Sequence, residues 1–463
     1  MKYDCIIIGA GMSGLAAGIR LAMFDKSVCI LEKHYTAGGL NSYYSRGGRL
    51  FDVGLHAVTN YVPKGTRGTP LAKLLRQLRL NHEELGLQEQ LFSRISFDGA
   101  ELKFTNDPEV LRQQVAEKFP GETGWYDDLV HFIRALDYRQ VSISSDTQQA
   151  RHFMRQYLSD PLLIEMLLCP LMFYGNAREH DMHLDQFIIL FKSIYMEGFA
   201  RPAEGVRRLI KLLKNKYLDL GGELRMQVAV DELRCDDGRV NEIVLAGGQT
   251  IQADWIISSA GLVETMRLCS DYEGSGELNV GRMSFIESIS CLDIQPCDLG
   301  HNDTIIFFNR GNTFNYRKPS DPVDIYSGVI CSPNNYRNHD LDEGIIRITN
   351  IADPSWWLGV ADEEKYRQAK EEWYNASVAE AVQLVPDFRE HVIYTDMFTP
   401  RTIKKYTGHL NGAVYGTPAK ARDGRTPYRN LVLCGTDQGL LGIVGAMLSG
   451  VSIANMYCLK NKC

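Results

Sequence analysis

One segment near the N-terminus, residues 2–33, predicts the fold and reads KYDCIIIGAGMSGLAAGIRLAMFDKSVCILEK. Two short apolar runs, residues 5–8 and 28–31, have the composition of strands that are buried on both faces of a parallel sheet. Between them lie three glycines at GxGxxG spacing, followed by a helix-forming stretch. The segment therefore predicts a strand, a tight turn, a helix and a second strand, which is the unit that binds dinucleotides.

Each glycine of this motif has a separate physical task. Gly9 allows the tight turn, Gly11 lets the backbone approach a pyrophosphate, and Gly14 lets the helix pack closely on the strand. The helix N-terminus favours an anion because its first N–H groups are unpaired. Glu32 ends the second strand, where a carboxylate accepts hydrogen bonds from ribose hydroxyls. The contacts predicted in this segment are Gly9, Gly11, Met12, Ser13, Gly14, Glu32 and Lys33.

The next stretch, residues 32–61, distinguishes the type of dinucleotide. It reads EKHYTAGGLNSYYSRGGRLFDVGLHAVTNY and contains a glycine doublet at 38–39, followed by Gly48, Asp52 and Gly54. This arrangement resembles the amine oxidase and phytoene desaturase superfamily of flavoproteins, so the resemblance implies FAD as the cofactor. By the same resemblance, the chain after the doublet passes along the flavin ring. The implied contacts are Gly39, Leu40, Asn41, Gly54, Leu55, His56 and Ala57.

Two later segments resemble further parts of the same flavin site. Residues 221–261 alternate apolar and polar positions in short runs, which is typical of a β-meander. The resemblance implies contacts from Val228 and Ala260 in this block. Residues 430–459 predict a strand that leads into a glycine-rich helix, and there Thr436 precedes the acidic residue Asp437. The contacts implied in this last segment are Gly435, Asp437, Gly442, Ile443, Val444 and Gly445.

These segments together predict an α/β chain, α+β overall. It comprises a Rossmann-type FAD-binding domain with a parallel sheet and a β-meander, and an interleaved mixed substrate domain. We expect the FAD-binding domain at residues 1–65, 201–275 and 425–463. We expect the substrate domain at residues 66–200, which are mainly helical by apolar spacing, and at residues 276–424, which mix strands and helices.

Within the superfamily, the chain is similar to the carotenoid isomerase, phytoene desaturase and retinol saturase branch. The likeness rests on FDVGLHAVTNY at 51–61 and on TPRTIKKYTGHLNGAVYG at 399–416. It implies an FAD-dependent oxidoreductase that desaturates, saturates or isomerises a hydrophobic isoprenoid- or carotenoid-like lipid. Two alternatives remain: a flavin amine oxidase acting on a small amine, and a non-catalytic prenyl-lipid binding protein of the same fold.

His56 is the candidate catalytic residue. It follows Gly54, where the chain is expected to skirt the flavin, and an imidazole transfers protons readily near neutral pH. The alternative is a histidine that only satisfies a backbone hydrogen bond. No metal site is expected, because His180, His183 and Asp185 lie on a polar segment that is typical of a solvated surface.

Composition and charge exclude several classes of protein. The 463 residues carry a net charge of -7, which disfavours binding to nucleic acid, since that binding depends on Lys and Arg. Eleven cysteines without a CxxC pair predict reduced thiols in a cytoplasmic protein. Met1 is followed directly by a strand-like run, so no export is expected. Any membrane contact is expected to be peripheral, the expected partner is a hydrophobic small molecule, and the oligomeric state is left open.

Overall fold

The computed structural model describes residues 2–136, 148–273, 279–339 and 341–460. The strands are β1 Lys2–Ile8, β2 Val28–Glu32, β3 Tyr43–Arg46, β4 Arg49–Asp52, β5 Leu87–Glu89, β6 Ser93–Phe97, β7 Ala100–Phe104, β8 Ala200–Pro202, β9 Glu223–Met226, β10 Val230–Asp236, β11 Arg239–Leu245, β12 Thr250–Ser258, β13 Ser284–Leu292, β14 Ile305–Asn309, β15 Val323–Cys331, β16 Gly344–Ala352, β17 Val392–Phe398 and β18 Leu431–Leu433. The α-helices are α1 Met12–Ala22, α2 Pro70–Leu78, α3 Pro108–Lys118, α4 Thr123–Ala135, α5 Ala150–Met154, α6 Pro161–Gly175, α7 Leu184–Phe191, α8 Val206–Asp219, α9 Leu262–Met266, α10 Pro354–Gly359, α11 Glu363–Ala381, α12 Pro400–Thr407 and α13 Gly442–Ile453.

The first sheet is parallel through its centre and takes strands from both ends of the chain. Its parallel strands lie in the order β18, β12, β1, β2, β9, and β10 and β11 extend from β12 as an antiparallel meander. In the central register, Ile257 of β12 lies beside Ile7 of β1 on one side and Val432 of β18 on the other. The predicted Rossmann-type sheet with its meander is therefore confirmed.

Small residues allow the two ends of the chain to approach closely. The N-terminal helix α1 packs against the C-terminal helix α13. A Cβ atom on Gly450 of α13 would collide with the backbone oxygen of Ser13 in α1, so only glycine permits this approach. On another side of α1, Gly18 leaves room for Tyr217 of α8. The convergence of the two termini therefore depends on a few positions without side chains.

The second sheet is mixed and lies in the order β17, β13, β16, β15, β14, β6, β7. Its pairs are antiparallel except for β14 with β6. The strands β6 and β7 belong to the region 66–200, so the mainly helical prediction for that region missed them. They form a hairpin around Asp98 and Gly99, and an Asp-Gly pair between two short runs is a hairpin signal that the sequence did carry.

The helices α3 to α7 pack together around one apolar core. Arg151 and Glu165 form an ion pair there, with 2.6 Å between Nη2 and Oε2, and both side chains are largely buried. The expectation that residues 180–185 form a solvated surface is wrong for Asp185, which is buried and pairs with Arg422. A buried carboxylate requires such a partner. Among the described helices, none has both the length and the apolar character needed to cross a membrane.

Candidate active site

A cavity of about 700 Å³ lies where the parallel strands of the first sheet end. Its wall includes the residues that follow β1, β2, β12 and β18, and the second sheet contributes residues of β13, β15, β16 and β17. The carboxyl edge of a parallel sheet is the usual ligand site of such folds. The cavity therefore lies where a dinucleotide is expected.

The cavity wall includes most of the residues that the sequence predicted as cofactor contacts. Those that line it are Gly9, Gly11, Met12, Ser13, Glu32, Lys33, Gly39, Leu40, Asn41, Gly54, His56, Ala57, Val228, Ala260, Gly435, Gly442 and Ile443. Five others lie behind the wall: Gly14, Leu55, Asp437, Val444 and Gly445. Segments that are more than 400 residues apart in sequence thus share one cavity.

The turn after β1 has the shape that a bound pyrophosphate requires. Gly9 adopts a φ of +96°, which favours glycine. A Cβ atom on Gly14 would collide with the oxygen of Gly9, so the third glycine serves the packing of α1 on the turn. A Cβ atom on Gly11, by contrast, would have no described atom within 4 Å. The open space beside Gly11 is where a ligand can approach the backbone.

Glu32 is fixed in place at the end of β2. Its Oε2 accepts a hydrogen bond from the backbone N–H of Ala10 at 2.7 Å, and its Oε1 accepts one from His34 at 2.8 Å. A carboxylate has about four acceptor positions, so two remain for ribose hydroxyls. The buried carboxylate therefore fits the predicted role.

The part of the cavity wall near Glu32 and Lys33 includes a segment whose role the sequence did not predict. Residues 406–410, at the end of α12 and just beyond it, line the cavity together with Ile403. Glu264 of α9 holds this segment, because its Oε1 accepts a hydrogen bond from the N–H of Leu410 at 2.8 Å and lies 3.6 Å from Nδ1 of His409. Burial would raise the pKa of Glu264, but His409 and the N–H of Leu410 together outweigh it and lower the pKa. The similarity of residues 399–416 to relatives was the only sequence signal for this segment.

Helix α13 begins at the opposite end of the cavity. Gly442 and Ile443 form its first turn and line the cavity, and no side chain caps the first N–H groups. Such a helix start attracts the negatively polarised edge of a ligand. The resemblance places the flavin ring at this end.

Asp437 does not line the cavity as predicted but lies behind its wall. Its Oδ1 accepts a hydrogen bond from the N–H of Thr417 at 2.9 Å, and its Oδ2 accepts one from Leu262 at 2.6 Å. The Nζ of Lys420 lies 3.4 Å from Oδ1, with both side chains buried. These partners use the carboxylate to join three chain segments, which is a structural role. The segment Gly435-Thr436-Asp437 indicated the acidic residue, but it gave no information about these partners.

Apart from His56, Thr349 and Glu287, the side chains that line this part of the cavity are uncharged and mostly apolar. They are Phe173, Tyr174, Phe285, Ile286, Val329, Phe398, Val414, Tyr415 and Leu441. The sequence indicated only that these regions were rich in aromatic residues. An apolar wall of this kind binds a hydrophobic group by removing it from water.

His56 lies between this apolar wall and a buried ion pair. Its Nε2 is 3.2 Å from Oγ1 of Thr349 and 3.5 Å from Oε2 of Glu287. The guanidinium of Arg347 pairs with the other oxygen of Glu287. Burial would raise the pKa of Glu287, but Arg347 and then His56 outweigh it, so the pKa is lowered and the carboxylate is charged. Thr349, Glu287 and Arg347 were not predicted from the sequence.

Metal chemistry has no candidate donor set in the described ranges. There, no three His, Cys, Asp or Glu side chains come together in a way that could hold a metal ion.

The fold and the cavity define a class of protein, one with a dinucleotide-binding site that is closed by a second sheet. The chain belongs to the family described as flavin containing amine oxidoreductase, whose model matches residues 12–264. That range is more than half of the 463 residues. The residues of the cavity fit this assignment, with glycine backbone for a pyrophosphate, a buried acid for a ribose and a helix start for the ring.

Several known proteins are similar over the whole chain. A chloroplastic prolycopene isomerase of Arabidopsis thaliana is 22% identical, over 100% of this chain and 79% of that protein. An all-trans-retinol 13,14-reductase of Danio rerio is 20% identical, over 99% of this chain and 86% of that protein. Among solved structures, an oxidoreductase from Methanosarcina mazei superposes with a TM-score of 0.68 at 16% identity, covering 98% of this chain and 100% of that one. A putrescine oxidase triple mutant superposes with a TM-score of 0.67 at 15% identity, covering 98% of both chains.

These comparisons confirm the predicted superfamily and the likeness to isomerases, desaturases and retinol reductases. They also confirm the predicted cofactor, FAD, since the family contains a flavin. The structural neighbours confirm the fold class. The protein is therefore a flavin-containing oxidoreductase.

Proposed function

We propose that the protein is an FAD-dependent oxidoreductase that desaturates, saturates or isomerises a hydrophobic isoprenoid- or carotenoid-like lipid. The names of its relatives, prolycopene isomerase and all-trans-retinol 13,14-reductase, support this substrate class. A substrate of this kind dissolves in membranes, so we expect the protein to meet it at a membrane surface. Peripheral contact with a membrane is part of the proposal.

The observation that carries the proposal is the absence of an unpaired charge at the apolar end of the cavity, among the described residues. Glu287 lines the cavity there, and it is paired with Arg347. Behind them, Asp52 pairs with the buried side chain of Arg201. The two ion pairs are neutral together, so this end offers no free carboxylate to an ammonium group. A neutral, apolar substrate avoids the cost of burying a charge without a partner.

The FAD would be held by the residues that line the other part of the cavity. The turn at Gly9 and Gly11 would contact the pyrophosphate, Glu32 the ribose, and the backbone near Val228 the adenine. The start of α13 at Gly442 would face the flavin ring. When bound, FAD accepts or donates a hydride at N5. The protein's part is to exclude water, to orient the lipid against the ring and to handle the proton, for which His56 is the proposed catalytic residue.

The alternative with a specific observation in its favour is an amine oxidase. The aromatic rings of Phe173, Tyr174 and Tyr415 lie in the cavity wall, and such rings can attract a cation. Putrescine oxidase is also among the structures with the same fold. If the protein is an amine oxidase, a small amine such as putrescine should reduce the flavin.

The test is an anaerobic measurement of flavin absorbance in the purified, FAD-loaded protein. A partly saturated carotene should bleach the oxidised flavin if the reaction is desaturation, and a polyene should reoxidise the reduced flavin if it is saturation. Isomerisation should appear as a changed double-bond geometry when the lipid is recovered and chromatographed. Bleaching by putrescine, with no effect of any lipid, would contradict the proposal and support the amine oxidase. A purified protein that stays colourless after incubation with FAD would instead indicate a lipid-binding protein.

A further inference from the structure

A chain of polar side chains connects the second sheet to His56 at the cavity. Glu287 of β13 lies directly opposite Thr349 of β16 in the antiparallel register. Arg347 is two residues from Thr349 on the same strand, so the three side chains share one face of the sheet. That face points towards the cavity, because Glu287 and Thr349 both line it. The sheet thus presents an acid, a hydroxyl and a guanidinium as one group.

This group fixes the backbone next to His56 as well as its ring. Nη1 of Arg347 donates a hydrogen bond to the oxygen of Leu55 at 3.1 Å, and Nη1 of Arg201 donates to the same oxygen at 3.1 Å. The hydroxyl of Tyr336 donates to the oxygen of His56 at 2.7 Å. These bonds restrain the main chain on both sides of the Cα atom of His56. The position of the imidazole is therefore set before any ligand binds.

The surroundings of the ring also determine which nitrogen carries the proton. Of the two groups near Nε2, the hydroxyl of Thr349 can donate or accept a hydrogen bond, whereas the carboxylate of Glu287 can only accept one, so Glu287 favours a proton on Nε2. In a neutral imidazole with a proton on Nε2, Nδ1 has a free lone pair. Among the described residues, none makes a hydrogen bond to Nδ1, and the ring lines the cavity. Nδ1 is thus the nitrogen left for a ligand.

The proposed reaction needs such a base. When one carbon of a saturated bond loses a hydride with its electron pair to FAD, the neighbouring carbon must lose a proton for the double bond to form. In saturation the same two transfers run backwards. The other titratable lining groups at this end are poor proton acceptors. Burial raises the pKa values of Tyr174 and Tyr415 and keeps both phenols protonated. The carboxylate of Glu287 is paired with Arg347, which lowers its pKa and makes it a weak base.

We propose that Glu287 is a positioning residue that holds His56 with its proton on Nε2. Nδ1 then takes the proton from the carbon next to the one that loses the hydride, or returns it in the opposite direction. The electron pair of the broken C–H bond forms the double bond and the proton is on His56, while bound FAD would supply the acceptor for the hydride. This inference rests on the proposed function, because it assigns the proton of that reaction.

The orientation of His56 can be tested without any substrate. Two-bond 1H–15N spectra of the FAD-loaded protein, with 15N-labelled histidine, distinguish a protonated Nε2 from a protonated Nδ1. The signal of His56 is identified by its loss in His56→Gln. We expect a single form with the proton on Nε2 in the wild type, and a mixture of both forms in Glu287→Gln. Because Glu287→Gln leaves Arg347 buried without its carboxylate, Glu287→Asp is the second variant. It keeps the charge beside Arg347 but withdraws it from His56 by one methylene, and we expect the same mixture.

Glu165→Gln is the matched control, since it also removes the charge from a buried Arg–Glu pair but lies outside the cavity wall. It should leave the His56 spectrum unchanged. Identical spectra for the wild type, Glu287→Gln and Glu287→Asp, or a wild type with its proton on Nδ1, would overturn the inference.

The rate measurement uses whichever lipid exchanges electrons with the flavin in the assay above. We expect that rate to fall about 100-fold in His56→Gln, a typical loss for a proton-transfer group. It should fall about 10-fold in Glu287→Asp, a typical loss for a positioning partner. An unchanged rate in both would overturn the role in proton transfer. If no lipid reacts, the proposed function fails, and the spectra still decide whether Glu287 orients His56.

Discussion

At the scale of single residues, His301 provides a measure of how burial changes a titrating group. The ring is 4% exposed, and its Nε2 lies 2.9 Å from Oγ of Ser332. Burial, and to a smaller extent Arg94, lowers the pKa of His301 to about 4. In the unfolded chain a histidine has a pKa of about 6.5. Below that value the unfolded chain therefore binds a proton that the folded protein does not.

Stability should consequently fall as the pH falls from 6.5 towards 4. For His301 alone, the free energy of unfolding should drop by about 2 kcal/mol between pH 7 and pH 5. The variant His301→Gln should lack this contribution, while all other acid titrations stay the same. Urea unfolding of both proteins at the two pH values measures the difference. Equal losses of stability in the wild type and the variant would contradict the prediction.

Some site residues could be predicted from the sequence because they lie in a local motif. Gly9, Gly11 and Glu32 lie within 24 residues, and their spacing reflects one turn and one strand. Glu287 could not be found in this way, because it occurs in a strand whose nine residues are all buried. Its approach to His56 depends on the register of β13 with β16, and no local pattern encodes that register.

At the scale of elements, the buried pair of Lys420 and Asp437 holds the connection between the residues before β18 and those after it. Nζ of Lys420 also donates a hydrogen bond to the oxygen of Tyr415 at 2.5 Å, which ties the pair to the cavity wall. Burial lowers the pKa of Lys420 and Asp437 opposes that shift, so the carboxylate stabilises the charged form of the buried ammonium. Removing it would leave that charge without compensation.

We predict that Asp437→Ala lowers the free energy of unfolding by about 3–5 kcal/mol, the usual effect of breaking a buried ion pair from one side. The double variant Lys420→Met, Asp437→Asn should recover part of this loss, because it has no buried charge and keeps one acceptor oxygen, for the N–H of either Thr417 or Leu262. Urea unfolding measures each variant. A loss below about 1 kcal/mol in Asp437→Ala would show that the pair has no such role.

Prediction of elements succeeded where one signal dominated. The parallel parts of β1, β2 and β12 are short continuous apolar runs, at residues 5–8, 28–31 and 255–257, which is the pattern of strands covered on both faces. The hairpin of β6 and β7 was missed because helical apolar spacing on both sides of it outweighed the Asp98-Gly99 turn signal. The strand β6 pairs in parallel with β14, about 210 residues further along the chain. The sequence of neither strand indicates this partner, because the pairing is non-local.

At the scale of the whole molecule, the cavity depends on three distant parts of the chain. Its wall takes residues from the N-terminal 57 residues, from 173–287 and from 329–446. This arrangement could be predicted only from the resemblance to a family, since motif spacing does not indicate that residues 11 and 442 lie close together. The second sheet closes the same cavity from the other side. A ligand in this cavity therefore contacts both sheets, and its binding should stabilise the whole fold.

We accordingly predict that FAD raises the unfolding temperature of the cofactor-free protein in one transition. At a free FAD concentration of 100 times its Kd, the stabilisation should be about 2.7 kcal/mol, because only the folded chain offers the assembled cavity. ADP, which contains only the adenine half, should stabilise less. The variant Gly11→Leu is the control, because the space beside its Cβ is open: the cofactor-free protein should unfold at the wild-type temperature, but FAD should no longer raise it. Two separate transitions, or a Gly11→Leu protein that FAD stabilises as strongly as the wild type, would show that the dinucleotide does not bind where the two ends of the chain converge.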